Sequence, residues 1–191
     1  MTIPTYEICI DWSATDWAGA HDFTTSGDDI TADVKSFRIT RGKETEDNVY
    51  PSATLELILE NSSGDYYPTL STGAHYTVAR SWLWLPVRVR ATHLTVVYNL
   101  FYGFINRITC SPLRSKKEVY FYATDGLDLL AKTMVIQDMD DKTTMSDGDA
   151  IVEILDAAGW SGSGLTTGRR NIDDTGGEIT SMPDTFAFTK P

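Results

Sequence analysis

Three histidines are the residues of this sequence best suited to acid–base or metal chemistry, but their spacing favours neither role. His21, His75 and His93 are widely separated, and no pair has the short spacing typical of metal-ligating histidines. Each lies beside a predicted loop or strand end. We therefore expect surface or hydrogen-bonded histidines rather than a catalytic base or a metal ligand.

Five aspartates close together form the strongest candidate for cation binding. They are Asp138, Asp140, Asp141, Asp147 and Asp149. A calcium loop also needs a central glycine and a closing bidentate glutamate at fixed offsets, and neither stands at the required position. The pattern favours a solvated acidic connector followed by carboxylates at the start of a helix.

Nucleophilic and carboxylate catalysis find little support in the sequence. It contains no nucleophile elbow, phosphate-binding loop or dinucleotide-binding glycine pattern. Glu56 and Glu60 have the spacing of one strand face, which explains the pair without glycosidase chemistry. Cys9 and Cys110 stand far apart in strand-like runs, so we expect buried thiols rather than a disulfide or a zinc site. The sequence thus predicts neither an enzyme nor a cofactor.

Tryptophan and arginine side chains offer a different chemistry, the burial of aromatic surface against a partner. Trp82 and Trp84 alternate just before a strand that places Arg88 and Arg90 on one face. The tryptophans either cover one end of the core or form an exposed pair that fills a partner's pocket. Stacking on sugars, with Trp12 and Trp17, is a further alternative. The interface candidates are Trp82, Trp84, Arg88, Arg90, Arg169, Arg170, Phe186 and Phe188.

Charge is distributed unevenly along the 191 residues. The chain has 16 basic and 27 acidic residues and a formal net charge of −11, which disfavours nucleic-acid binding as its main task. Residues 80–117 nevertheless hold seven basic side chains and no acidic one. A basic segment between two acidic ones predicts ordered self-association or contact with acidic partners.

The elements that must position these residues are mostly strands, because the hydrophobic pattern has a period of two. Leu55, Leu57 and Leu59, for example, share one face of a strand. Gly103 interrupts the longest run and predicts a bulge or bend. Strands are predicted at 6–12, 34–40, 53–60, 86–91, 94–109 and 118–124. The predicted class is mainly β, a barrel or sandwich.

Helical signals follow the strands. A short helix is predicted from Asp125 to Lys132, and a longer one begins at a cap, Ser146 or Asp147, and ends at Gly159. We therefore predict a β-barrel domain over 1–135, an acidic connector and helix over 136–160, and a C-terminal segment over 161–191. This last segment is poor in aliphatic residues, so we expect an extended arm or the start of a truncated second domain.

Targeting signals are not evident. The first residues lack a basic region followed by an apolar run, and nothing approaches the roughly 18 apolar residues of a membrane span. We expect synthesis in a reducing cytoplasm and no membrane insertion.

Five segments stand in a suggestive order. They are a strand ending in Arg41-Gly42, a strand followed by Asn61-Ser-Ser-Gly64 and Tyr66-Tyr-Pro68, then Pro86-Val-Arg-Val-Arg90, Phe101-Tyr-Gly-Phe-Ile105 and Asp125-Gly-Leu127. Together with the helix end Ala157-Ala-Gly-Trp160, they resemble the N-terminal region of siphophage tail-tip hub proteins, often labelled minor tail proteins. The resemblance spans roughly residues 30 to 160.

The resemblance implies a hub-type β-barrel in a virion, at the distal end of the phage tail tube, made in the host cytoplasm. It implies a homo-oligomeric ring, three-fold for a hub, which we favour, or six-fold for the related distal tail protein. The partners would be tube, distal tail and other tip proteins, and DNA would pass transiently through the channel. Such hubs usually continue with a second barrel, so either this is a shortened hub piece or those modules are separate chains. The alternatives are a carbohydrate-binding β-sandwich module of a phage tail, the distal tail protein itself and, with no residues to support it, a wall-degrading enzyme.

Overall fold

The computed structural model describes residues 3–14, 21–25, 28–42, 51–76, 81–111, 117–132, 145–160 and 178–179. The chain divides into two compact units, Met1–Trp17 with His21–Leu129 and Ala18–Ala20 with Leu130–Pro191. The first unit holds all the long strands. The fold is mainly β with two short helices after the sheet, as the sequence predicted.

Six strands form one antiparallel sheet in the first unit, in the order β1-β4-β5-β6-β3-β2, and the sheet curls into a half-barrel. Their bounds are β1 Thr5–Ile10, β2 Val34–Thr40, β3 Thr54–Glu60, β4 Pro86–His93, β5 Val96–Cys110 and β6 Glu118–Thr124. The predicted strands all exist. The predicted run from residue 94 is wrong at its start, because Leu94 and Thr95 form a turn between β4 and β5.

The inner face of the half-barrel is a continuous apolar core. Leu55, Leu57 and Leu59 of β3 point into it and are almost fully buried, which confirms the predicted alternation. Phe121 on β6 pairs with Leu57 in the ladder and lies in the same core. Side chains from outside the strands, Trp12, Tyr66 and Trp82 among them, complete this core.

A short segment links the two ends of the curled sheet. The N–H of Ile30 donates to the carbonyl of Ile8 at 2.9 Å, and the N–H of Ile10 donates to the carbonyl of Asp28 at 2.9 Å. The hydroxyl of Thr31 accepts from the N–H of Ile8 at 2.8 Å. A 3-10 turn, Thr31–Asp33, then leads directly into β2. The edge of β1 is thereby satisfied by the chain that becomes the opposite edge strand.

Gly103 marks a close approach rather than the predicted bulge. The register shifts lie instead between Val89 and Arg90 on β4, and between Ile105 and Arg107 on β5. A Cβ at Gly103 would stand 2.2 Å from the carbonyl oxygen of Thr124 and 2.7 Å from the Phe101 ring. The glycine thus lets strand β5 lie under an aromatic ring.

The helices are α1, Gly126–Lys132, and α2, Asp147–Ala157. Two-residue strands β7, Met145–Ser146, and β8, Glu178–Ile179, pair beside α2 in the second unit. The hydroxyl of Ser146 accepts from the N–H of Asp149 at 3.0 Å, so Ser146 is the N-cap. At the other end, the N–H of Trp160 donates to the carbonyl of Leu155 at 2.8 Å, which completes a Schellman cap. Among the described residues, no helix is long and apolar enough to cross a membrane.

Candidate functional site

The hairpin formed by β4 and β5, which we call the basic hairpin, is the centre of the candidate interface. Its turn consists of two residues, Leu94 and Thr95, flanked by the pair His93 and Val96. Both turn residues have positive φ angles, 48° and 71°. That is the pattern of a type I′ turn, which favours Asn-Gly because left-handed φ strains most other residues.

The tip of this hairpin, residues 94–98, exposes apolar side chains. Leu94 is 66%, Val96 50%, Val97 53% and Tyr98 51% exposed. Four apolar side chains at least half exposed within five residues form a candidate interaction surface. A strained turn that carries apolar residues to the surface is better explained by contact than by folding.

The exposed surface continues from the tip to the neighbouring strands. Tyr6 on β1 pairs with Ala91, and Ala91 pairs with Tyr98, so the two tyrosines share one face of the sheet. The ring of Tyr6 also meets Phe37 of β2 at a centroid distance of 5.3 Å. The apolar surface therefore runs across one rim of the half-barrel.

Arg88 lies on the outer face, as predicted, but its charge is already engaged. Its guanidinium nitrogen Nη2 is 2.6 Å from the Glu7 carboxylate, and its side chain is 14% exposed. The ring of Phe23 lies 4.6 Å from its guanidinium carbon. Partial burial opposes ionisation of Glu7, but the hydrogen bond from Arg88 keeps the pKa of that carboxyl below its ordinary value. Arg88 therefore serves to stabilise the sheet, and little of its charge is left for a partner.

Arg90 and Arg107 keep more of their charge at the surface. The Nε of Arg90 donates to the Asn99 side chain at 3.0 Å. The guanidinium of Arg107 lies over the ring of Tyr122, 3.8 Å from its centroid. Neither arginine makes one of the described ion pairs, although Arg90 lies opposite Glu7 on β1 and attracts its carboxylate. Both are basic groups at the surface that an acidic partner can contact.

Trp12, Trp82 and Trp84, the candidate tryptophans that the structure describes, do not form an exposed platform. Trp82 is 3% exposed and packs against Trp12, with ring centroids 5.1 Å apart. Of the two alternatives for this residue, burial in the core is therefore the correct one. This burial removes Trp82 from the surface of the chain. Trp84 is half-buried, has a φ of 71°, and its N–H donates to the carbonyl of Ile105 at 2.6 Å. Trp17 lies outside the described residues.

Histidines and cysteines lie in structural positions. His75 stacks on Trp12 at a centroid distance of 4.0 Å, and His21 packs against Phe104 at 5.9 Å. The described residues contain no cluster of metal-ligating side chains. Burial raises the pKa of Cys9 to about 12, so its thiol is not a nucleophile at neutral pH.

His93 flanks the hairpin turn, and Cys110 ends β5 half-buried. Of the five clustered aspartates, Asp149 takes part in the cap of α2, and Asp147 stands at the helix start. Asp138, Asp140 and Asp141 lie outside the described residues, as do the candidates Arg169, Arg170, Phe186 and Phe188.

The segments quoted for the family resemblance hold the half-barrel together. The guanidinium of Arg41 donates to the carbonyl of Leu100 at 3.0 Å, across the rim between β2 and β5. The Tyr66 hydroxyl donates to Asp33 at 2.5 Å. Asp125 accepts from the N–H of Ala53 at 2.8 Å and so ties β3 to the start of α1.

These motif contacts join parts of the chain that are far apart in sequence. The residue types in the motifs are therefore explained by the contacts that they make. Neither a family model nor a curated protein matches the chain. The functional interpretation therefore depends on the motif order and on the exposed hairpin tip. Sequence reasoning missed the tip because Leu94-Thr95 has no turn signal, although the apolar residues that follow were visible.

Proposed function

We propose that this chain is a structural component of a siphophage tail tip, a hub or baseplate protein that assembles into a ring at the distal end of the tail tube. One observation carries the proposal. Several of the segments that resemble tail-tip hubs supply residues that tie the half-barrel together, as Arg41 does with Leu100 and Asp125 with Ala53. Motifs that also make contacts between distant parts of the fold support the proposal better than any single motif does.

The surface of the first unit suits a ring. It combines an exposed apolar hairpin tip with the cations Arg90 and Arg107, and the sequence on either side of segment 80–117 is acidic. Surfaces of opposite character on one molecule favour contacts between unlike faces of neighbouring copies, which closed rings use. We favour three copies, and six would indicate the related distal tail protein.

DNA would cross the ring's channel without being held. Few phosphates can be neutralised by an acidic surface, so we expect acidic residues to line the channel. Arg88, Arg90, Arg107 and Arg114 should therefore face away from it. A ring whose channel is lined by these arginines would contradict this part of the proposal.

The experiment is sizing of the purified chain over a concentration series, followed by negative-stain imaging. Rings of three or six copies with a central channel, and binding of these rings to tail-tube protein, are the expected results. A monomer whose tryptophan fluorescence shifts on addition of polysaccharide would instead support the carbohydrate-binding alternative. Trp84→Leu is the matched variant for that outcome, because Trp84 is the tryptophan of the predicted pair that is not buried in the core.

The C-terminal arm is tested separately. Deleting residues 161–191 should weaken assembly and leave the half-barrel folded, if this segment docks on a neighbouring subunit. Thermal unfolding and sizing of the shortened chain measure both effects. Unchanged assembly would contradict the hypothesis that residues 161–191 dock on a neighbouring subunit.

A further inference from the structure

Within the described part of the chain, strand β5 has an unpaired edge over its first residues. It pairs with β4 from Val96 onwards, but with β6 only from Phe104 onwards. No described strand therefore lies beside residues 96–100 on the side that faces away from β4. We call this side of residues 96–100 the open edge.

The open edge presents backbone groups that can bind a further strand. His93 and Val96 flank the two-residue turn, so they exchange the first ladder hydrogen bonds of the hairpin. Because the direction of these groups alternates along a strand, the N–H and C=O of Val97 point to the open edge. The carbonyl of Leu100 accepts from the side chain of Arg41 at 3.0 Å. A side chain thus satisfies a group here that a neighbouring strand satisfies elsewhere in the sheet.

The open edge lacks the charged side chains that protect many edge strands. Residues 94–106 contain no charged side chain, and Val97 and Tyr98 are 53% and 51% exposed. The edge strand β2, by contrast, carries Lys35 and Arg38, and the edge of β1 is already bonded to a backbone segment. An exposed, apolar and uncharged edge is the kind that pairs with another strand.

A segment near the C-terminus has the sequence of a strand that fits this edge. Residues 185–189, which we call the donor segment, read Thr-Phe-Ala-Phe-Thr, so a strand here places Phe186 and Phe188 on one face. The donor segment holds no charge, and phenylalanine and threonine favour strands. The 24 residues between Trp160 and Thr185 span up to about 80 Å when extended, which is enough to reach a neighbouring copy.

We propose that the donor segment of one copy adds to the open edge of β5 in the next copy as a further strand. This inference rests on the proposed ring and gives its C-terminal arm a docking site. Phe186 and Phe188 would lie on the inner face of the sheet beside Val96 and Tyr98, which share that face with the buried Ala91. Main-chain hydrogen bonds give such a strand its affinity, and the contacts of its alternate side chains give specificity.

The simplest competing occupant of the open edge is the open edge of a second copy. Charge does not decide between the two, because both segments are uncharged and Arg90 beside the edge is attracted by Glu7. Symmetry does. Two open edges would pair about a two-fold axis and stop at a dimer, whereas a donor segment and an open edge are unlike surfaces, which a ring repeats head to tail.

The test uses variants of the full chain, each with a matched control. Val97→Pro removes an N–H of the open edge and no bond to β4, and Val97→Thr is its control, because threonine keeps the N–H and favours strands. Phe186→Ser with Phe188→Ser removes the rings of the donor segment, and Phe186→Tyr with Phe188→Tyr keeps them. Thermal unfolding checks that each variant is folded.

Sedimentation measures association. The Val97→Pro chain and the double serine chain should each associate at least about tenfold more weakly than the unaltered chain, because a main-chain hydrogen bond or two buried rings are lost. The Val97→Thr chain and the double tyrosine chain should associate as the unaltered chain does.

Cross-linking identifies the partner of the donor segment and decides the matter if Val97→Pro does not fold. Val97→Cys and Ala187→Cys are made in separate chains, because both positions would lie on the outer face of the enlarged sheet. A short bismaleimide cross-linker should join the two chains of a mixture into a heterodimer. Leu127→Cys in place of Val97→Cys is the control and should give none, since Leu127 is exposed but lies on α1. This control also accounts for Cys9 and Cys110, which every mixture contains.

Three results would overturn the inference. Unchanged association of a folded Val97→Pro chain, or an equal loss with Val97→Thr, would show that the N–H of the open edge bonds to no added strand. Cross-linking of the Val97→Cys chain to itself would mean that two open edges pair. A cross-link within a chain that carries both cysteines, with no heterodimer from the mixture, would mean that the donor segment docks on its own copy.

Failure of the inference is distinguishable from failure of the proposed function. Rings that the Val97→Pro chain and the double serine chain still form would reject the contact and leave the ring intact. The cross-linked heterodimer together with open filaments that lack a channel would support the contact and reject the ring.

Discussion

The ring of Tyr6 on β1 meets the ring of Phe37 on β2 edge to face, with centroids 5.3 Å apart and planes at 67°. These two strands stand at opposite ends of the order β1-β4-β5-β6-β3-β2. Residues at the two ends of a flat sheet of six strands would lie more than 20 Å apart, so the contact measures how far the sheet curls. Side chains therefore close the rim between β1 and β2, two strands that are not hydrogen-bonded to each other in the sheet.

A double-mutant cycle on Tyr6→Ala and Phe37→Ala tests whether this contact holds the rim. We expect a coupling energy of about 0.5–1.5 kcal/mol, the usual value of an edge-to-face aromatic pair beyond its buried area. Chemical unfolding of the four proteins measures it. Tyr98→Ala with Phe37→Ala is the control and should be additive. Additivity in the Tyr6 cycle as well would show that the rim does not depend on the pair.

Gly103→Ala should be among the most destabilising single changes in the sheet. The added Cβ would stand 2.2 Å from the backbone oxygen of Thr124, which cannot move without breaking the ladder between β5 and β6. We expect a loss of more than about 3 kcal/mol, or failure to fold. Thermal or urea unfolding gives the value.

Gly42→Ala provides the matched comparison. A Cβ at Gly42 meets nothing within 4 Å, but its φ of 138° strains any other residue. We expect a loss of about 1–2 kcal/mol from strain alone. Equal losses at Gly42 and Gly103 would mean that the close approach at Gly103 relaxes at little cost.

The hairpin turn should become more stable when its residues match its geometry. Leu94 and Thr95 have φ angles of 48° and 71°. Leu94→Asn with Thr95→Gly places in these positions the pair that type I′ turns prefer, and we expect a gain of about 1–2 kcal/mol in the free energy of unfolding. Leu94→Ala is the control, because it removes the apolar side chain and keeps the strain. A gain of the same size with Leu94→Ala would trace the effect to the exposed leucine rather than to the backbone.

Much of the first unit could be predicted from the sequence because its strands alternate cleanly. The period alone places Leu55, Leu57 and Leu59 on one face of a strand. In the second unit, residue type narrows the cap of α2 to Ser146 or Asp147, and the structure shows Ser146. Such local patterns report on side chains that are close in sequence.

The missed features depend on contacts between distant parts of the chain. The link between Ile30 and Ile8 that joins the sheet edges has no local signature, since backbone groups make it. The turn at Leu94 and Thr95 lacks the Asn-Gly or Asp-Gly pair from which a hairpin can be predicted. The sequence leaves Trp82 open between the core and the surface, because it lies in the irregular segment before β4 and its burial against Trp12 depends on tertiary packing.

The stack of His75 on Trp12 and Tyr66 should make stability depend on pH. Ring centroids are 4.0 Å apart for His75 and Trp12 and 5.5 Å apart for His75 and Tyr66. Burial lowers the pKa of His75 below its ordinary value of 6.5, although the carboxylates of Asp65 and Asp33 act in the opposite direction. The unfolded chain then takes up a proton at a higher pH than the folded chain does. Stability from this group is fully present above pH 6.5 and is lost as the pH falls from 6.5 towards the folded pKa.

His75→Phe isolates this contribution, because phenylalanine keeps the stacked ring and cannot be protonated. Urea unfolding at several pH values between 7.5 and 5 should show a steeper loss of stability for the unaltered chain than for the variant. Subtracting the two profiles removes the contributions of all groups that the substitution leaves unchanged. A difference that grows in favour of the unaltered chain on acidification would mean that attraction between an imidazolium and the Trp12 ring outweighs the cost of burying the charge.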